Sequence, residues 1–165
     1  MPNSLGILRK SCALIGGLTL MYQTFAAPRL FADDESGRAT IDKFIATHAR
    51  KLHGEEYQEA RRVVSGDLNH DGQEDLAVQY TLESMGGSNV YRFYLAVFLK
   101  QRGQYVYTAS RQIGGKLQRD VTLQTIKDGK VLFDTLEYEP RDPSCCPSKP
   151  GHVVFILQGK QLKEQ

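Results

Sequence analysis

Val90 to Lys100 (VYRFYLAVFLK) limits the fold more than any other stretch. Read with a period of two, Tyr91, Phe93, Leu95, Val97 and Leu99 share one face, and all are apolar. The other face, with Val90, Tyr94, Ala96 and Phe98, is largely apolar too, and Arg92 and Lys100 lie near its ends. Period-two alternation is the mark of a strand. A strand apolar on both sides sits at the centre of a sheet and is covered on both.

The rest of the chain supplies one helix and more strands. Ile41, Phe44, Ile45, His48 and Leu52 recur at three- and four-residue steps, which predicts an amphipathic helix over 38–53. Gly54 is a natural stop, and Arg50 and Lys51 suit the negative C-terminal end. Asp33 to Gly37 reads as a polar, frayed lead-in. From Tyr57 on the pattern is strands. Leu76, Val78, Tyr80 and Leu82 alternate with Ala77, Gln79 and Thr81. Further strands are predicted over 105–113, 117–126, 131–138 and 152–157, with a short last one after Gln158-Gly159-Lys160. Leu117, Val121 and Leu123 are placed on one face, and Gly86-Gly87 and Gly114-Gly115 are read as turn glycines. Lys127-Asp128-Gly129-Lys130 is a hairpin signal, because Asp-Gly tolerates the positive φ of a type I′ turn. The expected fold is α+β: one N-terminal amphipathic helix packed on a mostly antiparallel, meandering sheet of six to eight strands.

Between two of these strands lies Gly66-Asp67-Leu68-Asn69-His70-Asp71-Gly72-Gln73-Glu74-Asp75. Oxygen-bearing side chains alternate along it, and Gly72 falls where such a loop turns sharply. Calcium is a hard ion that takes six to eight oxygens, and alternate side chains on a tight turn can converge on one point. The pattern D-x-N-x-D-G-x-x-D is the first part of an EF-hand loop. Asp67, Asn69 and Asp71 are expected to give side-chain oxygens, Gln73 its backbone carbonyl, and Asp75 a direct or water-bridged contact. The twelfth position, where an EF-hand has a bidentate Glu, is Val78, and the flanks are strands rather than helices. The loop resembles the calcium-binding β-hairpin loop of FG-GAP and VCBS-like domains. It occurs once, so the resemblance implies the loop and no propeller. The competing reading is a polar turn rich in Asp, Asn and Gly.

Residues 1–32 differ from the rest. Arg9 and Lys10 precede a short apolar run from Cys12 to Tyr22, and small residues follow at Ala26, Ala27 and Ala32. This is the pattern of a secretory signal peptide, cut after Ala26 or after Ala32. The run is shorter than the roughly 20 apolar residues a spanning helix needs. The remaining 33–165 is expected to be one domain, periplasmic or secreted, with no transmembrane helix. Loss of the leader removes Arg9, Lys10 and Arg29 and no acid, so net charge moves from +2 to −1. No basic tract remains to suggest nucleic acid.

The second special stretch is Tyr138 to Pro150, where four prolines stiffen a loop around Cys145 and Cys146. Without the leader these are the only cysteines. In an oxidising compartment they are expected to bond to each other, a bridge across adjacent residues. Free thiols and an interchain bond are the alternatives. Asp142-Pro143-Ser144-Cys145-Cys146-Pro147-Ser148 resembles the DPxCCPS motif of the LppP/LprE lipoprotein family of bacterial exported proteins, which is similar to this chain also in an Asp-rich loop upstream of the motif. The resemblance implies an exported bacterial domain and no particular reaction. The lipid-bearing cysteine of a lipoprotein leader is missing, so tethering does not carry over.

No G-x-S-x-G elbow, phosphate loop or histidine pattern points to catalysis. The functional expectation is a non-enzymatic exported domain with calcium in the Asp loop, serving structure or an unknown envelope or extracellular partner. A thiol–disulfide or metal-handling role for Cys145-Cys146 is the alternative.

Overall fold

The computed structural model describes residues 35–87 and 89–165. The leader read over 1–32 lies outside them. The amphipathic pattern forms α1 (Glu35–Lys51), which buries Gly37, Ile41, Ile45 and Ala49 at four-residue steps. It starts three residues before the predicted position, so Glu35 to Gly37 is helical rather than frayed. Glu35 suits the positive end of the helix dipole, and the Thr40 hydroxyl donates to the Ser36 carbonyl inside the first turns. At the far end His53, not Gly54, takes the left-handed conformation, with φ +52°. Gly54 is needed for closeness instead: a Cβ there would lie 2.8 Å from Met85 Cγ and 3.0 Å from the Glu83 carbonyl oxygen.

Nine strands follow: β1 (Glu55–Glu56), β2 (Arg62–Gly66), β3 (Asp75–Glu83), β4 (Arg92–Gln101), β5 (Gln104–Gly115), β6 (Arg119–Lys127), β7 (Lys130–Glu137), β8 (Lys149–Gln158) and β9 (Gln161–Glu164). The sequence predicts six to eight; the two residues of β1 are too few to alternate. All pairings are antiparallel, in the order β1-β3-β4-β5-β6-β7-β8-β9, with β2 also paired to β3. Asp128 (φ +50°) and Gly129 (φ +71°) make the positive-φ turn predicted between β6 and β7.

β5 and β6 pair at a single position, Gly115 with Arg119. Gly114 and Gly115 end a strand and are not the turn; the turn bond runs from the Gln118 N–H to the Gly115 carbonyl. A Cβ on Gly114 would sit 2.6 Å from the Arg119 carbonyl oxygen, and one on Gly115 2.6 Å from that of Tyr91. Here backbones cross closely and the sheet folds over itself. Leu117 lies in that turn and is 64% exposed, so it does not share a strand face with Val121 and Leu123.

The fold-over gives β4 its two covers. On one face Tyr94, Ala96 and Phe98 join Leu76, Val78, Tyr80, Leu82 and the helix residues Ile41, Ile45 and Ala49 in one core. On the other, Leu95 and Val97 join Ala77, Ala109 and Ile113 against Val121, Leu123, Val131, Phe133, Val153 and Phe155 of the second half. Both faces of the central strand are buried, as the alternation predicts.

The helix is fixed to its face by aromatic rings. Phe44 stacks on Tyr107 at 4.3 Å, and His48 meets Tyr94 edge-on at 4.9 Å. Burial foremost, and then the charge of Lys51, lower the His48 pKa below its ordinary 6.5. Burial also pushes the Tyr80 hydroxyl far above its usual value, so that it stays protonated. His48 Nδ1 and the Tyr80 hydroxyl are hydrogen-bonded to each other at 2.6 Å. Between the two His48 pKa values the unfolded chain binds more protons, so His48's share of stability is full above 6.5 and declines as pH falls below it. Thermal melts between about pH 7.5 and 5.5 are expected to show a falling melting temperature, with a smaller fall in His48→Gln. Equal slopes would remove His48 as the cause.

Candidate functional site

The Asp loop leaves β2 at Gly66 and enters β3 at Asp75. Its even positions dock it. Leu68 is in the core, and the His70 ring lies against Gly129, where a Cβ would meet His70 Nε2 at 2.5 Å. Gly66 packs on Ile126 in the same way, at 2.7 Å. Gly72 has φ +81° and open space around it, so its role is the sharp turn.

The alternate positions turn inward on the loop's own backbone. The Asp71 N–H is shared by Asp67 Oδ1 (3.2 Å) and Asn69 Oδ1 (3.1 Å), which places those two oxygens over the same peptide. The Gly72 N–H donates to Asp67 Oδ2 at 2.9 Å. The Gln73 N–H donates to Asp71 Oδ1 at 2.8 Å, while the side-chain amides of Asn69 (3.0 Å) and Gln73 (3.3 Å) donate to Asp71 Oδ2. The Gly72 N–H foremost, with those of His70, Asp71 and Asn69, holds the Asp67 carboxyl below its ordinary pKa.

Asp75 differs from its neighbours. It is 0% exposed, and it accepts the Leu68 N–H at 3.0 Å and the Lys100 N–H at 2.8 Å. It therefore fastens the loop to its own strand and to the end of β4. Burial pushes its pKa up, the two N–H donors oppose that, and the charges of Asp71 and Asp67 add to the rise. Asp75 thus feels the charge of both loop carboxylates. Among the described residues, however, no three His, Cys, Asp or Glu side chains form a set able to hold a metal. The available donors are hard oxygens, in character with calcium or magnesium rather than zinc.

The cysteine loop is the second structured feature. Cys145 and Cys146 are joined by a disulfide, with Cα atoms 3.7 Å apart. The loop around them closes on Asp142. Its Oδ2 accepts the Glu139 N–H (2.8 Å) and the Ser148 N–H (2.9 Å), and its Oδ1 accepts the Ser148 hydroxyl (2.8 Å). The N–H of Glu139 foremost keeps the Asp142 carboxyl below its ordinary pKa. Tyr138 donates its hydroxyl to the Ser144 carbonyl at 2.8 Å, and Pro147 is buried while both cysteines are exposed. The motif's first and last residues are thus the two ends of one clasp.

His48 and His53 belong to the helix end, and His152 Nδ1 donates to Asp134 Oδ1 on the strand surface, 2.8 Å away. The four histidines are not brought together at the Asp loop. Among the described residues, no helix is long and apolar enough to cross a membrane. No protein-family model matches the chain, and no curated protein or solved structure is significantly similar to it. Fold and site together define an antiparallel α+β domain with an Asp-rich hairpin connection and a clasped vicinal disulfide.

Proposed function

We propose that this is an exported, non-enzymatic domain, periplasmic or secreted, whose Asp67–Asp75 loop binds calcium and so rigidifies the connection between β2 and β3. What supports the reading is the gathering of the Asp67 and Asn69 side-chain oxygens over the Asp71 N–H, with the Asp71 carboxyl over the N–H of Gln73, two residues further on. Asp67, Asn69, Asp71 and the Gln73 carbonyl are the proposed ligands. Asp75 adds negative charge from beneath, directly or through water. For the ion to bind, the Asn69 and Gln73 amides must leave Asp71 Oδ2. Both are exposed, so this displaces nothing in the core.

The leader pattern and the likeness of Asp142–Ser148 to the LppP/LprE motif support the exported setting. There, a dissociation constant of roughly 10⁻⁴–10⁻³ M is enough, as in extracellular calcium modules. The role is structural, holding a surface for an envelope or extracellular partner.

Thermal melts test the reading. About 10 mM calcium is expected to add about 1–3 kcal/mol of stability and raise the melting temperature by roughly 3–10 °C. Asp71→Ala should cut the rise by about half or more while melting normally without the ion. An equal rise in Asp71→Ala would refute the assignment.

A further inference from the structure

We propose that the Cys145–Cys146 disulfide is a thiol-exchange site, taking two electrons from small dithiols while the domain stays folded. The inference stands apart from the calcium reading, since this loop joins β7 to β8 and the Asp loop joins β2 to β3.

Three observations carry it. First, both cysteines are exposed, so an attacking thiolate can reach the sulfurs. Reactivity in exchange depends on that access. Second, the bridge spans no intervening residue. A disulfide that stabilises by restraining the unfolded chain does so more the longer the loop it closes, and here that loop is the smallest one available. Adjacency alone also sets the Cα atoms at 3.7 Å, short of the roughly 4.4 Å at which ordinary bridges begin, and bridges outside that range are more easily reduced. Third, the loop has another fastening. The Asp142 clasp to Glu139 and Ser148, the Tyr138–Ser144 bond and the buried Pro147 hold its path without help from the sulfurs. Opening the bridge therefore frees two thiols on a loop whose ends stay fixed. A bridge whose loss costs the fold little, on a loop fastened by other means, is built for chemistry at the sulfurs.

The exchange balances simply. One thiolate of the dithiol attacks a bridge sulfur, the S–S bond breaks, and the other cysteine leaves as a thiolate that takes up a proton. The second thiol of the dithiol then attacks the mixed disulfide and releases the first cysteine. The protein gains two hydrogens, and the dithiol loses two and becomes a cyclic disulfide. A disulfide such as oxidised glutathione reverses the change.

The test treats the purified protein with dithiothreitol, well below its melting temperature, and then alkylates and weighs it. The expected result is two more alkylated cysteines than in the untreated protein, a melting temperature within about 4 °C of the untreated protein's, and recovery of the bridge on addition of oxidised glutathione. Cys145→Ser/Cys146→Ser should melt within the same margin. A bridge that resists dithiothreitol until the protein is unfolded, or a domain that unfolds once the bridge opens, would overturn the proposal. The calcium response of the untreated, disulfide-bonded protein does not depend on this outcome, so the two readings fail separately.

Discussion

Asp75→Ala is expected to remove about 4 kcal/mol of stability, the largest single loss outside the apolar core. The side chain is 0% exposed, and both its oxygens serve backbone N–H groups, of Leu68 and of Lys100. Alanine leaves the buried Leu68 N–H and the part-buried Lys100 N–H without an acceptor, at about 1–3 kcal/mol each. Total stabilities of domains this size run to about 5–15 kcal/mol, so the variant would be close to unfolding at room temperature. Asp75→Asn keeps one acceptor and turns an N–H₂ toward the other donor, so roughly half the loss is expected. Urea unfolding measures both, read as a shift in midpoint with little change in slope. The pH dependence has a definite sign. Burial raises the Asp75 pKa above its ordinary 3.8, so the folded state holds this proton more tightly than the unfolded one. Asp75's own contribution is therefore greatest below 3.8 and declines as pH rises through its raised value. Asp75→Asn should lose that decline. A loss under about 1 kcal/mol in Asp75→Ala would show that the two donors find water instead.

Gln79→Ala is expected to cost about 3 kcal/mol. Gln79 is 3% exposed on β3, on the face turned to the second half of the sheet. Its Nε2 donates to the Val121 carbonyl at 2.9 Å, and its Oε1 accepts the Leu123 N–H at 2.6 Å. It thus supplies to β6 the ladder bonds that β5 does not, since β5 and β6 pair only at Gly115 and Arg119. Truncation leaves a buried donor and acceptor and a small cavity. Gln79→Leu fills much of the volume but not the bonds, and should recover only the smaller part of the loss. Amide exchange gives a local check, with the Leu123 N–H losing protection before its β7 partner Phe133 does. Unchanged protection at Leu123 would mean that the two halves hold together without this bridge.

Gln79 also marks where sequence reading runs out. Alternation placed it correctly on the face opposite Leu76, Val78, Tyr80 and Leu82, because period two reports which residues share a side. It does not report what lies across the gap, and the partner is backbone some forty positions on. The doubly apolar β4 was legible for the complementary reason: burial on both faces needs no knowledge of the covering elements. The fold-over at Gly114-Gly115 was not legible, because a glycine pair reads alike in a turn and at a close crossing of backbones. Of the candidate site, the side-chain oxygens of Asp67, Asn69 and Asp71 accept N–H groups of the loop's own backbone. The buried fastening by Asp75 depends on the Lys100 N–H and had no local signal. The adjacent disulfide was foreseen, and the clasp by Asp142 and Ser148 was within reach, since Asp before Pro is a turn-forming pair whose side chain seeks backbone N–H groups.

Isothermal calorimetric titration of calcium into the purified, chelator-treated protein tests the central proposal most directly. One saturable site with a dissociation constant of roughly 10⁻⁴–10⁻³ M is expected, weakened at least tenfold in Asp67→Ala and Asp71→Ala. No saturable heat from the wild-type protein up to about 10 mM calcium would contradict it, and the loop would then be a turn fastened by its own backbone.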